Sequence, residues 1–101
     1  FNTLRCFGPD FANDPDYKGD VDRFLADFAA AVVTDIKTLR AAGLPTVMWG
    51  LQNEPWVSNA HYSACRYPDS PSYVRAYRAV ASAVRRYDAR ILLFADTDDS
   101  F

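Results

Sequence analysis

The sequence predicts an α/β fold built on a parallel sheet. Apolar residues recur every three or four positions in two stretches, 20–42 and 71–88, which is the spacing of amphipathic helices. Each stretch is followed by a short run with little charge, "TVMWGLQ" at 46–52 and "RILLFA" at 90–95, which is typical of a strand buried on both faces. Alternation of helix and strand predicts right-handed β-α-β connections and therefore parallel strands.

The first predicted helix, 20–42, has signals at both ends. Asp20 precedes the apolar stripe and can accept hydrogen bonds from the amides of the first turn. Gly43 can take the left-handed conformation that ends a helix, and Pro45 cannot prolong it. The stripe consists of Val21, Phe24, Leu25, Phe28, Val32, Ile36 and Leu39.

The second predicted helix, 71–88, begins after a candidate N-cap at Ser70. Pro71 then takes the first helical position, where the missing amide of proline costs nothing. The residues before it, 55–69, are rich in tyrosine, serine, asparagine and proline and predict a loop. The apolar stripe of this helix consists of Val74, Tyr77, Val80, Ala81, Val84 and Tyr87.

Composition excludes several classes of protein. With 50% hydrophobic and 24% charged residues, the chain is globular rather than disordered. A net charge of -2 gives no support for a nucleic-acid or membrane-surface partner. No apolar run approaches the roughly 20 residues of a transmembrane helix, so no membrane-spanning segment is predicted. Cys6 and Cys65 fit no metal or redox spacing, and both a disulfide and two free thiols stay open.

The first predicted strand becomes polar where it ends. Alternation turns Trp49 toward the helices and Glu54 to the opposite side. Because unpaired buried polar groups cost free energy, Asn53 and Glu54 either form a solvated turn or perform chemistry. In parallel α/β folds, functional groups lie on the loops that leave the C-terminal ends of strands, and Asp96 holds the corresponding place after the second strand.

A carboxyl group held at such a point suits general acid–base catalysis. Glycoside hydrolysis uses two carboxyl groups, and an amide beside the acid can hold a sugar hydroxyl. Trp56 could stack on a sugar ring or be a packed loop residue. Asp96 could hydrogen-bond a sugar or the neighbours of Glu54, and Tyr62 and Tyr67 could line a subsite. The Asp-Thr-Asp-Asp run at 96–99 lacks the glycine and distal glutamate of an EF-hand loop, so no metal site is predicted.

"WGLQNEPW", with Asn-Glu-Pro after a buried strand, resembles strand four of the clan A retaining glycoside hydrolases. "LQNEP" and the "YSAC" at 62–65 are most similar to family 30 of that clan. The resemblance covers about 45–100 and implies a (β/α)8 TIM barrel, with Glu54 as the general acid/base and Asn53 as the residue that binds the sugar 2-hydroxyl. It also implies a carbohydrate substrate and no cofactor, and suggests a location outside the cytoplasm.

The fold expected from this resemblance is a partial (β/α)8 TIM barrel, from the loop after strand three through helix three, strand four and helix four to strand five. Residues 1–101 would then be a fragment of a single catalytic domain, since a whole barrel takes about 250 residues. In the clan the nucleophile is a second glutamate on strand seven. Glu54 is the only glutamate here, so we expect the fragment to be inactive alone.

Two other interpretations stay open. The first is a carbohydrate-binding barrel that kept the cleft and lost hydrolysis. The second is a small complete α/β domain in which Asn-Glu-Pro is only a turn. The sequence does not indicate the sugar, the linkage or the oligomeric state.

Overall fold

The computed structural model describes residues 14–51, Tyr67 and residues 69–95. The elements in chain order are α1 (Val21–Ala41), β1 (Met48–Gly50), α2 (Ser70–Tyr87) and β2 (Leu92–Phe94). The predicted order of helix, strand, helix and strand is confirmed. Both helices begin and end within one residue of their predicted bounds, whereas both strands are shorter than predicted.

The start of α1 is stabilised by local hydrogen bonds. The Asp20 carboxylate accepts a hydrogen bond from the Arg23 amide at 3.1 Å, which confirms the predicted N-cap. Just before it, the buried carboxylate of Asp14 accepts from the Tyr17 amide and shapes a turn. The Tyr17 ring then packs edge-on against Phe24, with 5.3 Å between ring centroids.

The end of α1 is a Schellman motif. The Gly43 amide donates to the Arg40 carbonyl and the Leu44 amide to the Leu39 carbonyl, both at 3.0 Å. Gly43 has a φ of 82°, in the left-handed region that favours glycine. The predicted role of Gly43 in ending the helix is confirmed.

The start of α2 differs from the prediction by one residue. Asp69, not Ser70, is the N-cap, and its carboxylate accepts a hydrogen bond from the Ser72 amide at 2.8 Å. Hydrogen bonds from the Ser72 side chain and amide hold the pKa of Asp69 below its usual value. Aspartate and serine are comparable caps, so the sequence could not choose between neighbours. The backbone decides, because Asp69 is extended while Ser70 is already helical.

The core lies between the two helices and the side of the sheet that faces them. Ala76, Val80 and Val84 of α2 are completely buried there. Trp49 and Leu93 reach the same core from the strands and are partly buried. The other core residues are Phe24, Leu25, Phe28, Ala29, Ile36, Tyr67, Tyr73 and Ile91.

The strands β1 and β2 are parallel neighbours. Their register pairs Met48 with Leu92, Trp49 with Leu93, and Gly50 with Phe94. Trp49 packs against Tyr77 of α2, which confirms that its side chain faces the helices. The opposite side of the sheet is open, with Met48 55% and Leu92 62% exposed. The prediction that these strands are buried on both faces is therefore wrong.

The prediction of a partial (β/α)8 TIM barrel is also wrong. The described residues form a small α/β unit in which two helices cover one side of a two-stranded sheet. A barrel wall needs a neighbour on both edges of each strand and side chains packed inside it. Within the described residues each strand has one neighbour, and the side that would face a barrel interior is exposed. An apolar run predicts a strand, but it does not specify how many strands pair or what covers their second face.

Both helices carry too many charged side chains along their length to cross a bilayer. In the part of the chain that the structure describes, neither α1 nor α2 qualifies as a membrane span.

Candidate functional site

The two strands end side by side. Gly50 and Phe94 form the last pair, after which the chain leaves β1 through Leu51 and β2 through Ala95. Since parallel strands end at the same edge of a sheet, both departures lie at one edge. In the sequence, Asn53 and Glu54 follow the first departure closely, and Asp96 follows the second.

The predicted site residues Asn53, Glu54, Trp56 and Asp96 lie outside the described residues, as do Tyr62, Cys6 and Cys65. Their assignment as site residues stays a prediction. We call residues 52–66 the site segment. The structure describes the residues on either side of it, up to Leu51 and from Tyr67.

The residues at the end of β1, just before the site segment, are packed against the core. Trp49 lies against Tyr77, with 6.3 Å between ring centroids, and Leu51 is partly buried against the core. Between them, Gly50 lies under the ring of Phe94, so a methyl group at this position would overlap that ring. The absence of a side chain at Gly50 permits this close approach.

The first described residue after the site segment, Tyr67, is also packed in the core. Tyr67 is 1% exposed and makes an edge-on contact with Tyr73, with 5.5 Å between ring centroids. Burial raises the pKa of the Tyr67 hydroxyl. The suggestion that Tyr67 lines a sugar subsite is therefore wrong, because its side chain belongs to the core.

These contacts join into an aromatic row, defined as Trp49, Tyr77, Tyr73 and Tyr67. Tyr73 and Tyr77 are one helical turn apart, with 6.3 Å between their ring centroids. Tyr77 was predicted on the apolar stripe of α2, whereas Tyr73 was not. The four-residue spacing of the two tyrosines was the signal that could have revealed the pair.

A polar cluster lies at the opposite edge of the sheet, before the strands begin. The Asp88 carboxylate accepts hydrogen bonds from the Arg90 amide at 2.9 Å and from Arg40 Nη1 at 2.9 Å. Arg40 Nη2 also donates to the Thr46 carbonyl at 2.7 Å. Arg90, and then Arg40, hold the pKa of Asp88 well below its usual range, and Asp88 in turn raises the pKa of Arg40. This cluster ties α1 to the start of both strands and lies away from the candidate site.

No described carboxyl group with a shifted pKa suits general acid catalysis. The shifts of Asp69 and Asp88 are both downward, whereas a general acid at neutral pH needs a raised pKa. The described residues also contain no group of three histidine, cysteine, aspartate or glutamate side chains that could hold a metal ion.

Two surface clefts lie elsewhere on the unit. A groove of about 530 Å³ runs between α1 and α2, where Arg75 and Asp22 form an ion pair and most of the other lining residues are alanines. A second cleft, of about 470 Å³, borders Arg40 and Asp88. Neither cleft is lined by the residues at which β1 and β2 end.

The candidate site is therefore located by the ends of two parallel strands and by the motif that follows the first of them. The acid and the amide predicted for it from the sequence are Glu54 and Asn53. No protein-family model, curated protein or solved structure matches this chain.

Proposed function

We propose that this chain supplies the acid/base half of the site of a glycoside hydrolase that cleaves β-linked glycosides with retention. The observation that supports the proposal is the position of Asn53-Glu54-Pro55 in the sequence, shortly after β1, a strand with a parallel neighbour. The end of such a strand is where α/β proteins place functional groups. The roles given to Glu54 and Asn53 follow from the resemblance of "WGLQNEPW" to the clan A glycoside hydrolases.

In the proposed reaction Glu54 acts twice. It first protonates the glycosidic oxygen while a second carboxylate attacks the anomeric carbon and forms a glycosyl–enzyme intermediate. It then removes a proton from the water that releases the sugar. The reaction requires no cofactor.

The neighbours of Glu54 would bind the sugar. Asn53 would hold the 2-hydroxyl group, an interaction that strengthens in the oxocarbenium-like transition state. Trp56 would stack on a sugar ring, and Asp96 would accept a hydrogen bond from a sugar hydroxyl. Asp96 fits this role because β2 ends beside β1, so both strands direct the chain to one edge of the sheet.

The nucleophile would come from outside these 101 residues. Glu54 is the only glutamate in the chain, and it already has the acid/base role. We therefore expect the 101-residue chain alone to hydrolyse no glycoside.

The test compares two aryl β-glycosides, one with a good leaving group and one with a poor one, on the full reading frame that encodes this chain. Glu54→Gln should lower kcat/KM for the poor substrate by about 10²–10⁴. For the substrate with the good leaving group, kcat/KM should fall much less, because this leaving oxygen departs readily without being protonated. Asp35→Asn, which removes an exposed carboxylate of α1, is the matched control.

Unchanged rates on both substrates in Glu54→Gln would show that Asn-Glu-Pro is only a turn. A wild-type protein that binds sugars but hydrolyses none would instead be a carbohydrate-binding protein.

A further inference from the structure

We propose that the outer side of α2 binds a polysaccharide that carries carboxylate groups. The binding surface consists of Arg75, Arg78, Arg85 and Arg86, which we call the arginine stripe, and all four side chains are exposed. This inference rests on the proposed function and deepens it, because it names the class of glycan on which such an enzyme would act.

The arginine stripe lies on the side of α2 that faces away from the core. Together with Ser82, its members recur at intervals of three, four, three and one residues, which is the spacing of one helical face. The opposite side of the helix is completely buried at Ala76, Val80 and Val84. From its first to its last arginine the stripe is about 16 Å long, at about 1.5 Å per residue.

Positive charge is concentrated on this helix, although the chain as a whole is slightly acidic. The sequence of α2 contains four arginines and no aspartate or glutamate. Residues 14–51, which include α1, contain six aspartates and only four basic residues. The net charge of -2 is therefore an average over acidic and basic parts, and it conceals a strongly cationic local surface.

Three of the four arginines have no carboxylate partner among the described residues. Arg75 forms an ion pair with Asp22 of α1, whereas Arg78, Arg85 and Arg86 form none. Arg85 and Arg86 lie in the last turn, where the helix dipole favours positive charge. Arg78 lies in the middle of the helix and gains nothing from the dipole. Helix stability therefore does not account for the whole stripe.

The chemistry and shape of the stripe define the ligand. A guanidinium group binds a carboxylate through two parallel hydrogen bonds, so arginine is well suited to this anion. The stripe is a convex helix surface and not a cavity, which suits an extended polymer better than a small anion. Successive carboxylates along a polysaccharide can each meet one guanidinium group, and the Ser82 hydroxyl can hydrogen-bond a sugar hydroxyl between them.

Two other anionic partners fit this surface less well. Binding of a helix at a membrane surface uses apolar residues as well as basic ones, and the apolar side of α2 is packed in the core. Duplex DNA carries one negative charge per about 1.7 Å of its axis. The exposed Asp22 and Asp27 of the neighbouring α1 would repel such a dense polyanion, whereas a polysaccharide has more widely spaced charges.

The direction of α2 connects the stripe to the proposed reaction. The helix ends at Asp88, beside the edge of the sheet at which the strands begin. Its first turns, with Arg75 and Arg78, therefore lie toward the edge at which β1 and β2 end. A polymer bound along the stripe would lead toward the edge at which the proposed function places cleavage.

Affinity electrophoresis of the full reading frame that encodes this chain tests the proposal. The native gels contain carboxymethyl cellulose or hydroxyethyl cellulose, which share a β-linked glucan backbone and differ in the charge of their substituents. Carboxymethyl cellulose should retard the protein and hydroxyethyl cellulose should not. Added NaCl should weaken the retardation, because salt screens exposed charges. Poly-L-glutamate and an oligodeoxythymidylate are added as competitors at the same concentration of negative charge.

Arginine-to-glutamine variants locate the binding surface. Arg78→Gln should raise the Kd for carboxymethyl cellulose about threefold, and Arg78→Gln/Arg85→Gln about tenfold, if each contact is typical of an exposed ion pair. Arg23→Gln is the matched control, because it removes the same charge from α1, where the guanidinium group already binds the Asp16 carbonyl. It should change the Kd less than about twofold. If the double variant does not fold, Arg78→Gln/Arg86→Gln replaces it.

An equal loss of binding in Arg23→Gln and Arg78→Gln would overturn the proposal, since overall charge would then be responsible. Retardation by neither polymer, or by both equally, would also overturn it. Complete displacement by poly-L-glutamate would identify an acidic polypeptide as the partner, and complete displacement by the oligodeoxythymidylate a nucleic acid, and either result rejects a polysaccharide. Binding of carboxymethyl cellulose without hydrolysis of any glycoside would retain the binding surface and reject the proposed function. Hydrolysis without such binding would do the reverse.

Discussion

Arg40 near the end of α1 and Asp88 just after α2 form an ion pair, with 2.9 Å between Nη1 and Oδ2, across 48 residues of sequence. The Asp88 side chain is only 10% exposed and is also hydrogen-bonded by the Arg90 amide. One carboxylate thus connects the end of the first helix to the start of the second strand. The Arg40 side chain is 30% exposed, so the ion pair is partly buried, and such a pair is more costly to break than a fully exposed one.

Asp88→Asn should destabilise the protein in a pH-dependent manner. The pKa of Asp88 is lower in the folded chain than in the unfolded chain, where it is about 3.9. Its contribution to stability is therefore complete above that value and is lost as the pH falls below it. Thermal melts from pH 7 to pH 2 should show a Tm difference between wild type and variant that is largest near neutrality and shrinks below about pH 4. A difference that stays constant over this range would contradict the role of the charge.

Gly43→Ala should destabilise the end of α1 by about 1 kcal/mol, the usual cost of placing a side chain in the left-handed region. No atom lies within 4 Å of a Cβ at this position, so the cost is conformational and not steric. Gly43→Asn should cost less, because asparagine tolerates this conformation better. Urea denaturation of both variants measures the difference. Equal stability of Gly43→Ala and wild type would show that the positive φ is not required.

Ala76→Leu should destabilise the protein by about 1–3 kcal/mol, the typical cost of overpacking. Ala76 of α2 is completely buried in the core, so the larger side chain would displace the elements packed around it. Ala30→Leu, at an exposed position of α1, should stay within about 0.5 kcal/mol of wild type. Chemical denaturation provides both values, and similar values for the two variants would argue against the observed helix packing.

Azide should rescue Glu54→Gln if the proposed mechanism is right. In the second step Glu54 would deprotonate water, whereas an azide anion can attack the glycosyl–enzyme intermediate without losing a proton. On an aryl β-glycoside with a good leaving group, azide should raise the turnover of the variant and yield a β-glycosyl azide. Neither the wild type nor Asp35→Asn should show this increase. Formation of an α-glycosyl azide would exclude a retaining mechanism.

Local features were predictable from the sequence because their causes lie within a few residues. The N-cap Asp20 and the Schellman glycine Gly43 are recognised by side-chain chemistry at fixed distances from the ends of a helix. The orientation of Trp49 followed from strand alternation. The candidate acid Glu54 was also found by a local signal, its position after a strand, and its role stays a prediction.

The predictions from the sequence failed for features that depend on contacts between residues distant in sequence. An apolar run such as that around Met48 indicates a strand, but the same composition fits a strand with one covered face or two. The strands were therefore predicted to be buried on both faces, and the resemblance to clan A glycoside hydrolases implied a barrel, whereas the described residues form a sheet with one open side. Tyr67 was similarly suggested as a loop residue that could line a subsite, although its ring is in the core.

The sequence by itself determined, to within one residue, where the helices begin and end, and approximately where the strand before Asn53 and Glu54 lies, because periodicity and capping are short-range effects. Only the tertiary structure decided that Arg40 meets Asp88 and that Tyr73 and Tyr77 connect Trp49 to Tyr67. These contacts depend on how α1, α2 and the sheet pack together, and side chains from different elements come into contact only in the folded chain.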